Sequence, residues 1–141
     1  MGTPLTKTQQ PSDLVKWETS HIFCREGGTY TNGSGAEVTI EDGVGYPITY
    51  NDSTGAVTLC LQATEADVNA VMVAKGKHTV ADGDSIDVEV IRRGPAILNE
   101  AALATEDVAS DSFTLATLKT NLEAEDFQFT AEAVETETQS T

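Results

Sequence analysis

The side chains able to do covalent or metal chemistry are few and scattered: Cys24 and Cys60, His21 and His78, and the acids Asp82, Asp84, Asp87 and Glu89. A thiol or serine nucleophile needs a base within hydrogen-bond reach. His78 falls mid-strand beside a Lys-rich turn, His21 lies next to the N-terminal segment, and no Ser stands in a G-x-S-x-G elbow. That inventory points away from an enzyme. Two cysteines are too few for a disulfide scaffold and lack metal-type spacing. Each reads as a small buried or half-buried residue, and a Cys24–Cys60 bridge stays open because spacing does not establish proximity.

Asp82-Gly83-Asp84 superficially suggests a calcium loop. An EF-hand needs oxygens at alternate positions, Gly at the sixth, Glu at the twelfth and flanking helices, and this spacing meets none of them. A tight turn before an exposed strand face accounts for the same residues. Gly33-Ser34-Gly35 and Gly43-Val44-Gly45 are followed neither by Lys-Ser/Thr nor by a helical pattern, so neither is a phosphate cradle. Neither a cofactor nor a metal is expected. The sequons at Asn32 and Asn51 carry no weight, since residues 1–17 contain no apolar signal core.

Arg92 and Arg93 are the densest positive charge in a chain of formal charge −15. They are expected either to pair within the chain, with Glu89 or Asp87, or to reach a carboxylate on a partner or a neighbouring copy. From Glu100 onward ten acids face one base, Lys119. Such a field repels phosphate, so direct nucleic-acid binding is not expected. An acidic C-terminal third is a solvated surface that favours solubility at high copy number. No stretch approaches the roughly 20 apolar residues of a membrane span, and no membrane partner is expected.

These residues must be carried by short strands. Val38 and Ile40 alternate with polar neighbours, as do Val57, Leu59 and Leu61, which sends Cys60 to the opposite face. Gly27-Gly28, Asn32 to Gly35, Glu41 to Gly43 and Asn51 to Gly55 read as turns. Ala70 to Ala74 is apolar on both faces, as in a central strand. Ile86, Val88 and Val90 share a face, Arg93-Gly94-Pro95 ends that strand, and Ala96-Ile97-Leu98 is another. Asn99 can cap a brief helix through Leu103. Leu115, Leu118 and Leu122 mark an amphipathic helix from Ser112 to about Ala124. Phe127 and Phe129 alternate as a closing strand.

Residues 1–21 read as an extended arm, polar and interrupted by Pro4 and Pro11, with Leu14, Val15 and Trp17 as its apolar anchors. The domain is expected over 22–129 and an acidic tail over 130–141.

From Arg25 to Leu103 the order of elements resembles the bacteriophage head decoration proteins, the lambda-like family. The resemblance rests on the Gly-rich stretch Val38 to Gly45, the strand after Gly55, the Val71–Gly76 strand and turn, and Ile86–Asn99 with its closing R-G-P-A-I-L-N. It implies a mixed α+β, β-rich fold: a compact β-barrel or β-tulip-like domain with one or two short helices. It also implies a structural virion protein, made in the host cytoplasm, that binds the outer surface of an expanded capsid. There it would stabilise the shell as a homotrimer against internal DNA pressure, its partners the major capsid (coat) protein and further copies of itself. In such proteins the arm adds a strand to the coat protein, which would place Leu14, Val15 and Trp17 at the coat contact. Arg92 and Arg93 would then serve an inter-subunit or coat contact. The competing reading is an oligomeric β-domain of a phage tail, fibre or cell-surface adhesion module, with Tyr30, Tyr46 and Tyr50 as its sugar-stacking candidates.

Overall fold

The computed structural model describes residues 5–6, 14–20, 24–107, 110–131 and 138–139. The strands are β1 (Leu5–Thr6), β2 (Val15–Glu18), β3 (Arg25–Thr31), β4 (Val38–Ile40), β5 (Gly45–Tyr50), β6 (Ala56–Leu59), β7 (Ala70–Val73), β8 (His78–Val80), β9 (Ser85–Ile91), β10 (Ala96–Asn99), β11 (Phe127–Thr130) and β12 (Thr138–Gln139). One α-helix, α1 (Leu115–Glu123), and 3-10 turns at Gln62–Asp67 and Glu100–Ala102 complete the described elements.

Five strands close into a barrel in the order β3-β6-β5-β7-β9, which leaves no open edge for stray pairing. The longest seam is β3 against β9, antiparallel from Arg25↔Ile91 to Thr31↔Ser85. Gly27 and Gly28, expected in a turn, lie inside β3. At Gly28 the reason is close packing, since a Cβ there would fall 2.7 Å from Val57 Cγ2, whereas a Cβ on Gly27 would meet open space. Tyr30, Ile48, Tyr50, Val57, Met72 and Val90 fill the interior, joined by Val38, Ile40 and Val80 from the antiparallel pair β4–β8.

A second core lies outside the barrel. There β10 is the middle of a three-stranded sheet, parallel to β11 and antiparallel to β2. β7 serves both cores: Ala70 and Met72, with Ala74 just beyond the strand, join the barrel interior, while Val71 and Val73 pack with Leu98, Leu118, Leu122 and Phe127. A strand apolar on both faces is therefore covered by its own chain, and its pattern does not require a second copy.

Cys60, assigned by alternation to the face away from the core, is buried in this outer cluster. Alternation does hold, since Val57 and Leu59 face the barrel interior and Cys60 the other side; that side is buried because the second core covers it. Leu118 and Leu122 anchor α1, whereas Leu115 is largely exposed. The start of α1 is held by a carboxylate distant in sequence: Thr114 N–H donates to Glu65 Oε2 at 2.7 Å, and Asn121 Nδ2 donates to the Glu65 carbonyl at 2.9 Å. Asn99 does cap its turn, its Oδ1 accepting from Ala101 N–H at 3.2 Å.

Candidate interaction surfaces

The segment expected to be an arm through residue 21 is, from Leu14 to Glu18, part of the domain. Leu14 has no solvent exposure and belongs to the outer core, and Val15 packs against that core. β2 pairs with β10 in the register Ile97↔Trp17 and Leu98↔Val15. Thr19 N–H and Oγ1 both donate to the Pro95 carbonyl, at 3.0 and 3.2 Å. Glu18 accepts both Arg25 Nε, at 3.1 Å, and Arg25 Nη2, at 2.9 Å. Leu14 therefore cannot meet a coat subunit without unpacking the domain. Trp17 points outward and is 51% exposed, which leaves it as the accessible anchor of the three. The arm's first thirteen residues, apart from β1, and the acidic tail, apart from Thr130, Ala131 and β12, lie outside the described residues.

Arg92 and Arg93 both pair inside the chain, though not with Glu89 or Asp87. Arg92 Nε and Nη2 grip Asp52 Oδ1 and Oδ2 at 2.9 and 3.1 Å, a two-point fork. Its Nη1 reaches Glu125 Oε2 at 3.1 Å and the Asn69 carbonyl at 3.1 Å. The bond from Arg92 holds the Asp52 carboxyl below its ordinary value. Arg93 Nη2 donates to Glu26 Oε1 at 2.7 Å, with both side chains about one-third exposed. Glu89 is taken by Arg25 at 3.2 Å and Lys75 at 2.5 Å. Arg92 thus ties the β5–β6 turn to the residues after α1, a structural tie that sequence distance conceals. Arg93 keeps enough exposure to be shared at a surface.

A groove of about 390 Å³ lies on the barrel's flank, and the sequence reading missed it. Tyr46 and Pro47 of β5 and Leu59 and Cys60 at the end of β6 form one wall, and Val38 and Thr39 of β4 another. The opposite side is formed by Ala104 to Asp107 together with Phe113. Ala104 N–H donates to the Gly45 carbonyl at 2.8 Å and Phe113 N–H to the Thr105 carbonyl at 3.1 Å, which fixes that side against the barrel. Glu37, Glu106 and Asp107 stand in its lining. Asp107 is already used, since its Oδ2 accepts Gln62 N–H and its Oδ1 accepts Asp111 N–H, both at 3.0 Å. No local motif marks the groove, because its walls come from residues up to seventy-six positions apart.

The remaining candidates are structural. The Cys60 thiol is pushed up to about 11, mainly by burial, and its Sγ donates to the Leu61 carbonyl. Cys24 and Cys60 are both free thiols. His78 is exposed and bonds the Lys75 carbonyl, while His21 lies outside the described residues. Asp82 Oδ1 accepts Gly35 N–H at 3.0 Å, so its turn fastens the Asn32–Gly35 loop. Among the described residues no group of three or more His, Cys, Asp or Glu is placed to hold a metal, and no helix is long and apolar enough to cross a membrane. Comparison with protein-family models, curated proteins and solved structures finds no match to this chain.

Proposed function

We propose that this chain is a structural virion protein that binds the outer face of an expanded phage capsid as a trimer and stabilises it against internal pressure. The observation that carries the reading is the Ile86–Asn99 segment, on which the family resemblance rests. It runs from barrel strand β9 through Arg92, Arg93 and a cis Gly94–Pro95 bond into β10, the middle strand of the outer sheet. One segment thus links both cores, and Arg92 and Arg93 sit at the joint. The β-rich barrel and the exposed Trp17 on edge strand β2 fit a protein that works by docking. Several copies on one particle would reinforce each other through effective concentration.

The adhesion-module reading has less support. Tyr30 and Tyr50 are buried in the barrel, and Tyr46 is half-buried with its hydroxyl accepting Glu41 N–H at 2.8 Å. Stacking on a sugar ring needs an exposed aromatic face. The deciding experiment is co-sedimentation of the purified protein with expanded and with unexpanded coat shells. Saturable binding to expanded shells, with three-fold density in particle images, is the expected result. Free protein in the supernatant at every shell concentration would remove the capsid reading.

A further inference from the structure

We infer that the groove between β5 and the residues Ala104 to Asp107 and Phe113 is a docking site for an extended peptide of a partner protein carrying Lys or Arg beside an apolar side chain. The groove's volume, about 390 Å³, falls within the range of ligand sites and is large enough for a few side chains. Its floor and walls offer Tyr46, Leu59 and Phe113, all half-buried and so still able to lose surface to a ligand.

Charge identifies the occupant. Glu37 and Glu106 line the groove, are exposed, and hold no ion pair or side-chain hydrogen bond among the described residues. No lining residue is basic. The cations Arg25, Lys75, Lys77, Arg92, Arg93 and Lys119 are all paired with carboxylates that do not line the groove. With no basic residue in the lining and these six cations held by other carboxylates, a Lys or Arg of a docked segment is the complement that Glu37 and Glu106 call for. A groove lined by both apolar side chains and unpaired carboxylates selects a segment with both characters, and it repels the acidic peptides that a −15 surface already disfavours. This inference stands apart from the capsid reading, since it concerns the groove whichever protein supplies the segment.

The test uses the full chain, isotope-labelled, titrated with the capped tetrapeptides Leu-Arg-Leu-Lys and Leu-Glu-Leu-Glu while amide shifts are followed. The basic peptide should shift Thr39, Tyr46, Ala104 and Phe113, weaken as salt rises, and bind at least about ten-fold more tightly than the acidic one. The Glu37→Gln/Glu106→Gln double variant should keep its thermal transition, because both side chains are exposed, and should lose that preference. Equal binding of the two peptides, or shifts centred elsewhere, would overturn the inference. So would self-association of the free protein, seen by sedimentation and abolished in the double variant, because the occupant would then be a second copy.

Discussion

Leu14 sits directly over Gly45: a Cβ built on that glycine falls 2.7 and 2.8 Å from the two Leu14 methyls and 3.0 Å from Leu103 Cδ2. The missing side chain on β5 is the seat for a residue thirty-one positions earlier, and it joins the N-terminal segment to the barrel. Leu14→Ala should cost about 2–5 kcal/mol, the usual range for a fully buried leucine. Gly45→Ala should cost about 1–3 kcal/mol by overpacking, and the pair should be non-additive because one side chain occupies the other's space. Denaturant unfolding of both singles and the double checks this, and strict additivity would argue against the contact. Deleting residues through Glu18 should lower the melting temperature clearly, since it removes Leu14 and strand β2.

Arg92 and Arg93 should separate in their effects. Arg92 spans Asp52, Glu125 and the Asn69 carbonyl from a mostly buried position, so Arg92→Ala should destabilise by roughly 1–3 kcal/mol. Arg93 meets Glu26 at a site about one-third exposed, and Arg93→Ala should change stability by less than about 1 kcal/mol. On shells, Arg93→Ala is the informative variant, because any loss of attachment would reflect a contact and not unfolding. A salt series on its binding curve distinguishes a rim charge, which alters mainly the association rate, from a desolvated pair.

Much of the fold was legible because period-two and period-three-to-four patterns report burial directly. Val38 and Ile40, the doubly apolar β7, the Asn99 cap and the Leu118–Leu122 stripe all appear where their spacing puts them. The misreadings share one physical cause, contacts between residues far apart in sequence. Gly28 resembles a turn residue until Val57 is packed against it, and Leu14 resembles a loose anchor until Gly45 is seen to lack a side chain. Glu65 as the partner of Thr114, and Asp52 as the partner of Arg92, follow from topology that no local pattern encodes. The groove was invisible for the same reason.

Alkaline pH should destabilise the fold. The Cys60 thiol is raised from 9.0 to about 11 by burial, and burial also raises the Tyr30, Tyr46 and Tyr50 hydroxyls. Below pH 9 folded and unfolded chains hold the same thiol proton. Between about 9 and 11 the unfolded chain releases it while the folded chain keeps it, so stability falls as pH rises. The Cys60→Ala variant should show a flatter decline over that window in denaturant titrations. At the acid end the depressed Asp52 carboxyl acts oppositely: its contribution is present above 3.8 and is lost as pH falls through the lower folded value. Native Cys60 should also resist a disulfide reagent at pH 8 and react on unfolding.

Trp17 is the chain's only tryptophan, so its emission reports one place, the outer edge strand β2. Half-exposed to water in the free protein, it should emit at long wavelength and be quenched readily by a soluble quencher. If β2 faces the coat protein, adding expanded shells should shift the emission to shorter wavelength and protect it from quencher. Trp17→Ala should leave stability within about 0.5–1 kcal/mol of the parent, because little packing is lost from an exposed edge. Its attachment to shells should nevertheless weaken by at least about ten-fold, the range of an aromatic anchor at an interface. Leu14→Ala supplies the contrast: it should lower the melting temperature while any chain still folded attaches normally, since Leu14 faces inward. Unchanged Trp17 emission on shells that the protein demonstrably decorates would place the coat contact on another face of the domain.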